Sequence, residues 1–145
     1  MTKRRVVLDT NVWLSAIIFG GTPRKVLTSV LEGKTAVFTS PAILLEIALK
    51  LKEKFFWPEE KVVKTIKAIS NLTIIVNPKK KLRVIKKDRA DNKILEAALA
   101  AEVEFIVTGD HHLLELIKFK KIKIVTAADF YNKISKSIKE RYKTP

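Results

Sequence analysis

Four acidic side chains stand where a chain of alternating strands and helices would bring them together: Asp9, Glu46, Asp91 and Asp110. Asp9 directly follows the apolar, β-branched run Val6-Val7-Leu8, and Asp110 closes the run Phe105-Ile106-Val107-Thr108-Gly109. Both are expected at the carboxyl ends of strands, the edge where open α/β sheets build their sites. Asp91 falls at or near the start of the helix leading into the later of these strands, and Glu46 in the second turn of the helix after the second strand, so four carboxylates can converge on one edge. Like charges gathered in a cleft repel and raise one another's pKa, which is costly unless a cation neutralises them. With oxygen donors only and no Cys in the chain, a hard divalent ion, Mg²⁺ or Mn²⁺, meets that need while keeping several of its waters. One such ion could activate water and a second could stabilise the leaving oxygen of an in-line displacement. Taken singly, each acid has a plainer role: Asp9 and Asp91 as helix N-caps, Asp110 as a turn residue, Glu46 as a solvated helix position. Their convergence is what points to chemistry.

The elements that must position these acids follow from local signals. Residues 4–8 read as a buried first strand ending at Asp9, followed by a helix from about Asn11 that stops at Gly20-Gly21. Thr22-Pro23 gives an N-cap and a first-turn proline for a second helix ending near Gly33, and residues 35–39 form the next strand. Ser40-Pro41 repeats the cap-plus-proline signal for a helix reaching about Phe55, with Ile43, Leu44, Ile47 and Leu51 on one side and Glu46 on a partly buried face. Pro58-Glu59-Glu60 opens another helix, two acids complementing the positive end of its dipole, and residues 73–76 form a third strand. Residues 77–87 read as an exposed basic connection with strand character near 82–85. A helix from Asp88 or Asp91 to about Ala101, a fourth strand over 105–108, a short helix over 111–117 and a fifth strand over 121–125 follow. Thr126-Ala127-Ala128-Asp129 is a capping-box pattern opening the last helix, to about Lys139. Regular βα alternation implies an α/β fold with a parallel sheet covered on both faces, made by right-handed crossovers.

A length of 145 residues with 47% hydrophobic content suits one domain over residues 1–145 with a single core. The absence of Cys excludes disulfides, thiolate zinc sites and cysteine nucleophiles. The missing Gln, together with richness in Lys, Glu and Ile, is a composition seen in proteins from hot environments. Twenty-nine Lys and Arg against fifteen acids give a net charge of +14, which favours a polyanionic partner such as nucleic acid as much as it favours a solvated surface. Lys3-Arg4-Arg5 before an apolar run superficially resembles a secretory signal, but Asp9 and Asn11 break the run. No stretch approaches the roughly 20 apolar residues that span a bilayer, so a cytoplasmic protein without a membrane partner is expected.

Val6-Val7-Leu8-Asp9-Thr10-Asn11-Val12, Asp91-Asn92-Lys93-Ile94-Leu95-Glu96-Ala97-Ala98 and Ile106-Val107-Thr108-Gly109-Asp110, with Glu46 between the first two, resemble the PIN-domain family in order and spacing over essentially the whole chain. The likeness is nearest to VapC-type ribonucleases, the toxin components of toxin–antitoxin pairs. The resemblance implies a three-layer α/β fold with a five-stranded parallel sheet flanked by helices, a metal-dependent endoribonuclease, frequent homodimers and, in many members, inhibition by a cognate antitoxin protein. It also implies Asp9, Glu46, Asp91 and Asp110 as the metal-binding acids, Asn11 and Thr108 as polar supports of that cluster, and Asp88 as a rival for Asp91. His112 departs from the pattern, since relatives often carry an acid two residues after Asp110, and that substitution favours one firmly held metal ion.

Lys79, Lys80, Lys81, Arg83, Lys86, Lys87 and Arg89 form one basic run, and Lys118, Lys120, Lys121 and Lys123 another; either could meet RNA phosphates. Trp13 and Phe19 read as core, Phe55-Phe56-Trp57 as packing at a helix joint, and His111 and His112 as polar first-turn residues. Two competing functions remain on these residues. A PIN-like module that binds RNA without cleaving it would not need to retain all four acids. A haloacid-dehalogenase-like phosphatase needs a second Asp two residues after the first, and that position is Asn11, which cannot act as a general acid.

Overall fold

The computed structural model of the chain describes residues 3–79, 81 and 89–141, with the side chains of 89–91 and 137–141 outside that description. Strand β1 (Arg4–Leu8) is central: Val6, Val7 and Leu8 are fully buried, as an unbroken apolar run must be when both faces of a sheet are covered. It pairs in parallel with β2 (Thr35–Thr39) on one side and β4 (Phe105–Val107) on the other, placing Val7 opposite Phe38 and Ile106. The short β3 (Ile74–Ile75) extends the sheet beyond β2, and β6 (Ile122–Val125) beyond β4, again in parallel.

A two-residue strand, β5 (Lys118–Phe119), runs antiparallel to β6 and completes the order β3-β2-β1-β4-β6-β5. The expected five-stranded parallel sheet is thus corrected to a six-stranded, mostly parallel one. Lys118 faces Lys123 and Phe119 faces Ile122, so the hairpin turns on Lys120-Lys121 with Lys120 at φ 54°. Such turns are normally announced by Gly, Asn or Asp, which take positive φ at little cost; two lysines announce nothing.

Helices connect the strands: α1 (Thr10–Ile18), α2 (Gly21–Leu31), α3 (Pro41–Glu53), α4 (Glu59–Leu72), α5 (Arg89–Ala101), α6 (His111–Glu115) and α7 (Ala127–Arg141). Two sequence caps act as expected: the N–H of Ile43 donates to Ser40 Oγ at 3.3 Å, and that of Asp129 to Thr126 Oγ1 at 3.1 Å. The start of α2 differs. Its cap is Gly20, not Thr22, because the chain reverses through Gly20 and Gly21 at φ 82° and 64°. Arg24 braces that reversal, donating from Nε to Ala16 O at 2.9 Å and from Nη2 to Ile17 O at 3.2 Å, so it satisfies carbonyls at the end of α1. Pro58 likewise serves as the extended cap of α4 rather than as a member of its first turn. The strand character expected at 82–85 lies outside the described residues.

The core joins β1, β2, β4 and β6 to the inner faces of the helices, with Trp13, Ile43, Ile47, Leu51, Ile94, Leu95, Leu113 and Phe130 almost wholly buried. Phe19, expected in this core, is 76% exposed, because α1 ends at Ile18 and the chain is already turning away. At the joint of α3 and α4, Phe55 and Trp57 pack against the core while Phe56, at φ 56°, is exposed. No helix among the described residues is long and apolar enough to cross a membrane.

Candidate active site

Leu8 lies opposite Val107 in the β1–β4 pairing, so the next residues outward, Asp9 and Thr108, meet at the carboxyl edge of the sheet. Asp9 is only 5% exposed. The fully buried Thr108 hydroxyl donates to its Oδ2 at 2.6 Å, and the backbone N–H of Asn11 donates to Oδ1 at 3.4 Å. The same Thr108 oxygen accepts from the backbone N–H of Asp110 at 3.0 Å, so one hydroxyl orients both strand-end acids. Asp110 in turn caps α6, its Oδ1 accepting from the N–H of His112 at 2.8 Å.

Burial pushes the Asp9 carboxyl above the ordinary aspartate value. Its bonds to Thr108 and Asn11 act the other way, and the charges of Asp110 and Glu46 raise it further. Asp9 therefore lies within reach of the charges of two other acids, one from the end of a second strand and one from α3. Thr10 and Thr39 sit buried at the same edge, and their hydroxyls have no hydrogen-bond partner among the described residues.

Glu46 is held on the partly buried side of α3, with 16% of its side chain exposed. One turn on, Lys50 places its Nζ 3.3 Å from Glu46 Oε1 and 3.3 Å from Asn11 Oδ1, an ammonium bridging two site residues. Sequence reading missed Lys50. The i,i+4 spacing from Glu46 was available as a signal, but a Glu-to-Lys pair of that kind is common on helix surfaces, and its reach to Asn11 depends on how α3 packs against α1.

Asp91 has its backbone in the first turn of α5, while its side chain, and the whole of Asp88, lie outside the described residues. His111 and His112 stack with ring centroids 4.1 Å apart and stand exposed at the start of α6. Among the described residues no group of three or more acids or histidines is close enough to cage an ion unaided. The donor chemistry fits a hard divalent ion nonetheless: carboxylate oxygens around a buried, mutually repelling Asp9, of the sort completed by water and substrate oxygens.

The sequence profile of the PIN domain family matches residues 5–112, which includes Asp9, Glu46, Asp91 and Asp110. The chain belongs to the PIN domain family. This family is one of nucleases that generally depend on divalent metal. An uncharacterised protein of Methanocaldococcus jannaschii is 35% identical, with 94% of this chain and 95% of that one covered. Among solved structures, VapBC2 of Rickettsia felis, bound to a DNA fragment from its promoter, matches the PIN fold at a TM-score of 0.62 and 16% identity, over 83% of this chain and 96% of that one. VapBC-1 of nontypeable Haemophilus influenzae matches at 0.61 and 14%, over 86% and 98%.

Proposed function

We propose that this PIN domain is a divalent-metal-dependent endoribonuclease, folded as one domain over residues 1–145, and the toxin component of a toxin–antitoxin pair. The observation that carries the reading is Asp9: a buried carboxylate, held by Thr108, whose charge is opposed by Asp110 and Glu46. A fold does not maintain such repulsion for stability, and a site that receives a cation puts it to use. Asp9, Glu46, Asp91 and Asp110 would hold Mg²⁺ or Mn²⁺, which when bound supplies Lewis acidity to a phosphodiester and a water of lowered pKa. Thr108 fixes the rotamer of Asp9 and the backbone of Asp110, and Asn11 keeps Lys50 at the rim of the site. With His112 where a further acid would be expected, one ion is held firmly and any second arrives with substrate.

The excess of positive charge supports RNA as the polyanion. Likeness of fold to the VapBC complexes supports an antitoxin partner, and the resemblance of the acid motifs to VapC-type toxins supports a homodimer. The alternative, a PIN-like module that binds RNA without cleaving it, would keep the basic surface and have no use for the strained carboxylates. Cleavage of single-stranded RNA that requires Mg²⁺ or Mn²⁺, and disappears in Asp9→Asn while circular dichroism is unchanged, supports the proposal. Undiminished cleavage in that variant refutes the site, and two tightly bound Mn²⁺ per chain without RNA refutes the single-ion arrangement.

A further inference from the structure

The opposite edge of the sheet holds a concavity whose lining is rich in positive charge. A cavity of about 650 Å³ opens at the amino-terminal ends of β1, β4 and β6, beneath the middle turns of α7. Arg4, Lys121, Lys123, Lys133 and Lys136 line it, and among the described residues that line it Glu104 is the only acid. That carboxylate is already engaged, with Oε2 3.1 Å from Arg4 Nη1 and Oε1 accepting the Arg5 N–H at 3.3 Å. The floor is apolar: Phe105 and Phe130 meet edge to face with centroids 5.5 Å apart, and Lys133 Nζ stands 5.7 Å from the Phe105 ring centroid. Arg4 opens β1 and Asp9 follows its last residue, so the length of the strand, roughly 17 Å at 3.3 Å per residue, separates this cavity from the carboxylates.

Arg4 is already paired with Glu104, but Lys121, Lys123 and Lys136 bring further ammonium groups to the same recess, and an anion bound there relieves their repulsion. The volume lies in the range of sites that enclose a small molecule or one unit of a polymer. Phe105 and Phe130 are themselves buried, 7% and 0% exposed, so the recess offers no ring face for stacking, and its ammonium groups match the phosphates of a nucleotide rather than its base. We propose that this cavity is a second nucleic-acid site, which holds a nucleotide unit of single-stranded RNA by its phosphates at the edge of the sheet remote from the carboxylates. The choice of RNA rests on the ribonuclease reading; the preference for a phosphate-bearing strand rests on the cavity itself.

Anisotropy of a short fluorescein-labelled single-stranded RNA, titrated with the full chain in EDTA, tests the proposal. Lys121→Glu with Lys136→Glu changes two exposed side chains of the cavity, while Lys64→Glu with Lys67→Glu makes the same charge change on exposed positions of α4 that do not line it. The cavity pair should weaken binding about tenfold or more and flatten the log-affinity against log-salt slope by about 1.4, two phosphate contacts for a single strand. The α4 pair should lose less than about threefold, the part due to net charge alone. Equal losses in the two pairs overturn the proposal. So does a cavity pair that binds RNA normally but loses adenosine monophosphate, which would make the ligand a free nucleotide, or one that loses poly-glutamate and not RNA, which would make it an acidic protein. Cleavage abolished by Asp9→Asn, with RNA binding indifferent to the cavity charges, sinks the cavity and leaves the nuclease; cleavage that survives Asp9→Asn, with binding that follows the cavity charges, does the reverse.

Discussion

Replacing Thr108 by Val keeps the volume of a fully buried side chain and removes one hydroxyl. That hydroxyl makes a 2.6 Å bond to Asp9 and accepts the Asp110 N–H at 3.0 Å. A hydrogen bond to a charged group contributes about 1.5–3 kcal/mol and a neutral one about 0.5–1.5 kcal/mol, so the variant should lose roughly 2–4 kcal/mol. At this chain length that is a fall in Tm of roughly 6–12 °C. The loss must depend on the charge of Asp9. Its carboxyl is raised above the ordinary value of 3.8, so its protonated form favours the metal-free fold. That contribution is full below the unfolded value and disappears as pH rises through the folded one. Removing the Thr108 bond, which lowers the folded value, moves that value further up, so the Thr108→Val penalty should be larger above this window than below it. In an Asp9→Asn background the hydroxyl still meets an amide oxygen, and the penalty should shrink by about 1–2 kcal/mol. Urea denaturation in EDTA of the four proteins of this cycle, at acid and neutral pH, measures each quantity. Equal penalties in the two backgrounds, or no dependence on pH, would refute the placement of Thr108 as the group that organises Asp9.

Asp9→Asn alone should stabilise the metal-free protein at neutral pH, since it removes a buried, desolvated anion, while the single amide oxygen that meets Thr108 gives up only the long 3.4 Å bond from the Asn11 N–H; a lower Tm in EDTA would contradict this. The same variant should lose the Tm increase that Mn²⁺ gives the wild type. Lys50→Met removes a partly exposed i,i+4 pair, so stability should change by less than about 0.5 kcal/mol. With its ammonium gone the site becomes more negative, and calorimetry should find Mn²⁺ bound roughly twofold to fivefold more tightly; weaker binding would assign Lys50 a supporting role instead. Arg24→Ala strips donors from the carbonyls of Ala16 and Ile17 and should cost about 1–3 kcal/mol in urea, without altering Mn²⁺ affinity.

Local chemistry alone determined a good deal of this protein. Val6-Val7-Leu8 could only be a strand buried on both faces, Ser40-Pro41 and Thr126 to Asp129 could only open helices, and the residues that follow two such strands, Asp9 and Asp110, had to emerge at one edge. These features depend on neighbours a few residues away, which is the range over which propensity and capping act. Tertiary structure decided the rest. Phe19 is as apolar as Trp13, yet it is exposed because of where α1 stops. The β5–β6 hairpin turns on lysines that carry no turn signal, and the cations of the basic cavity come from β1, β6, α7 and the loop before β6. The contacts that make the acids a site span long separations: Thr108 to Asp9 across 99 positions and Lys50 to Asn11 across 39. The sequence placed Asp9 and Asp110 at one edge, because strand ends are local events. How the charge of Asp9 is held and opposed was set by packing, because hydrogen bonds and burial depend on distance in space, which spacing along the chain does not contain.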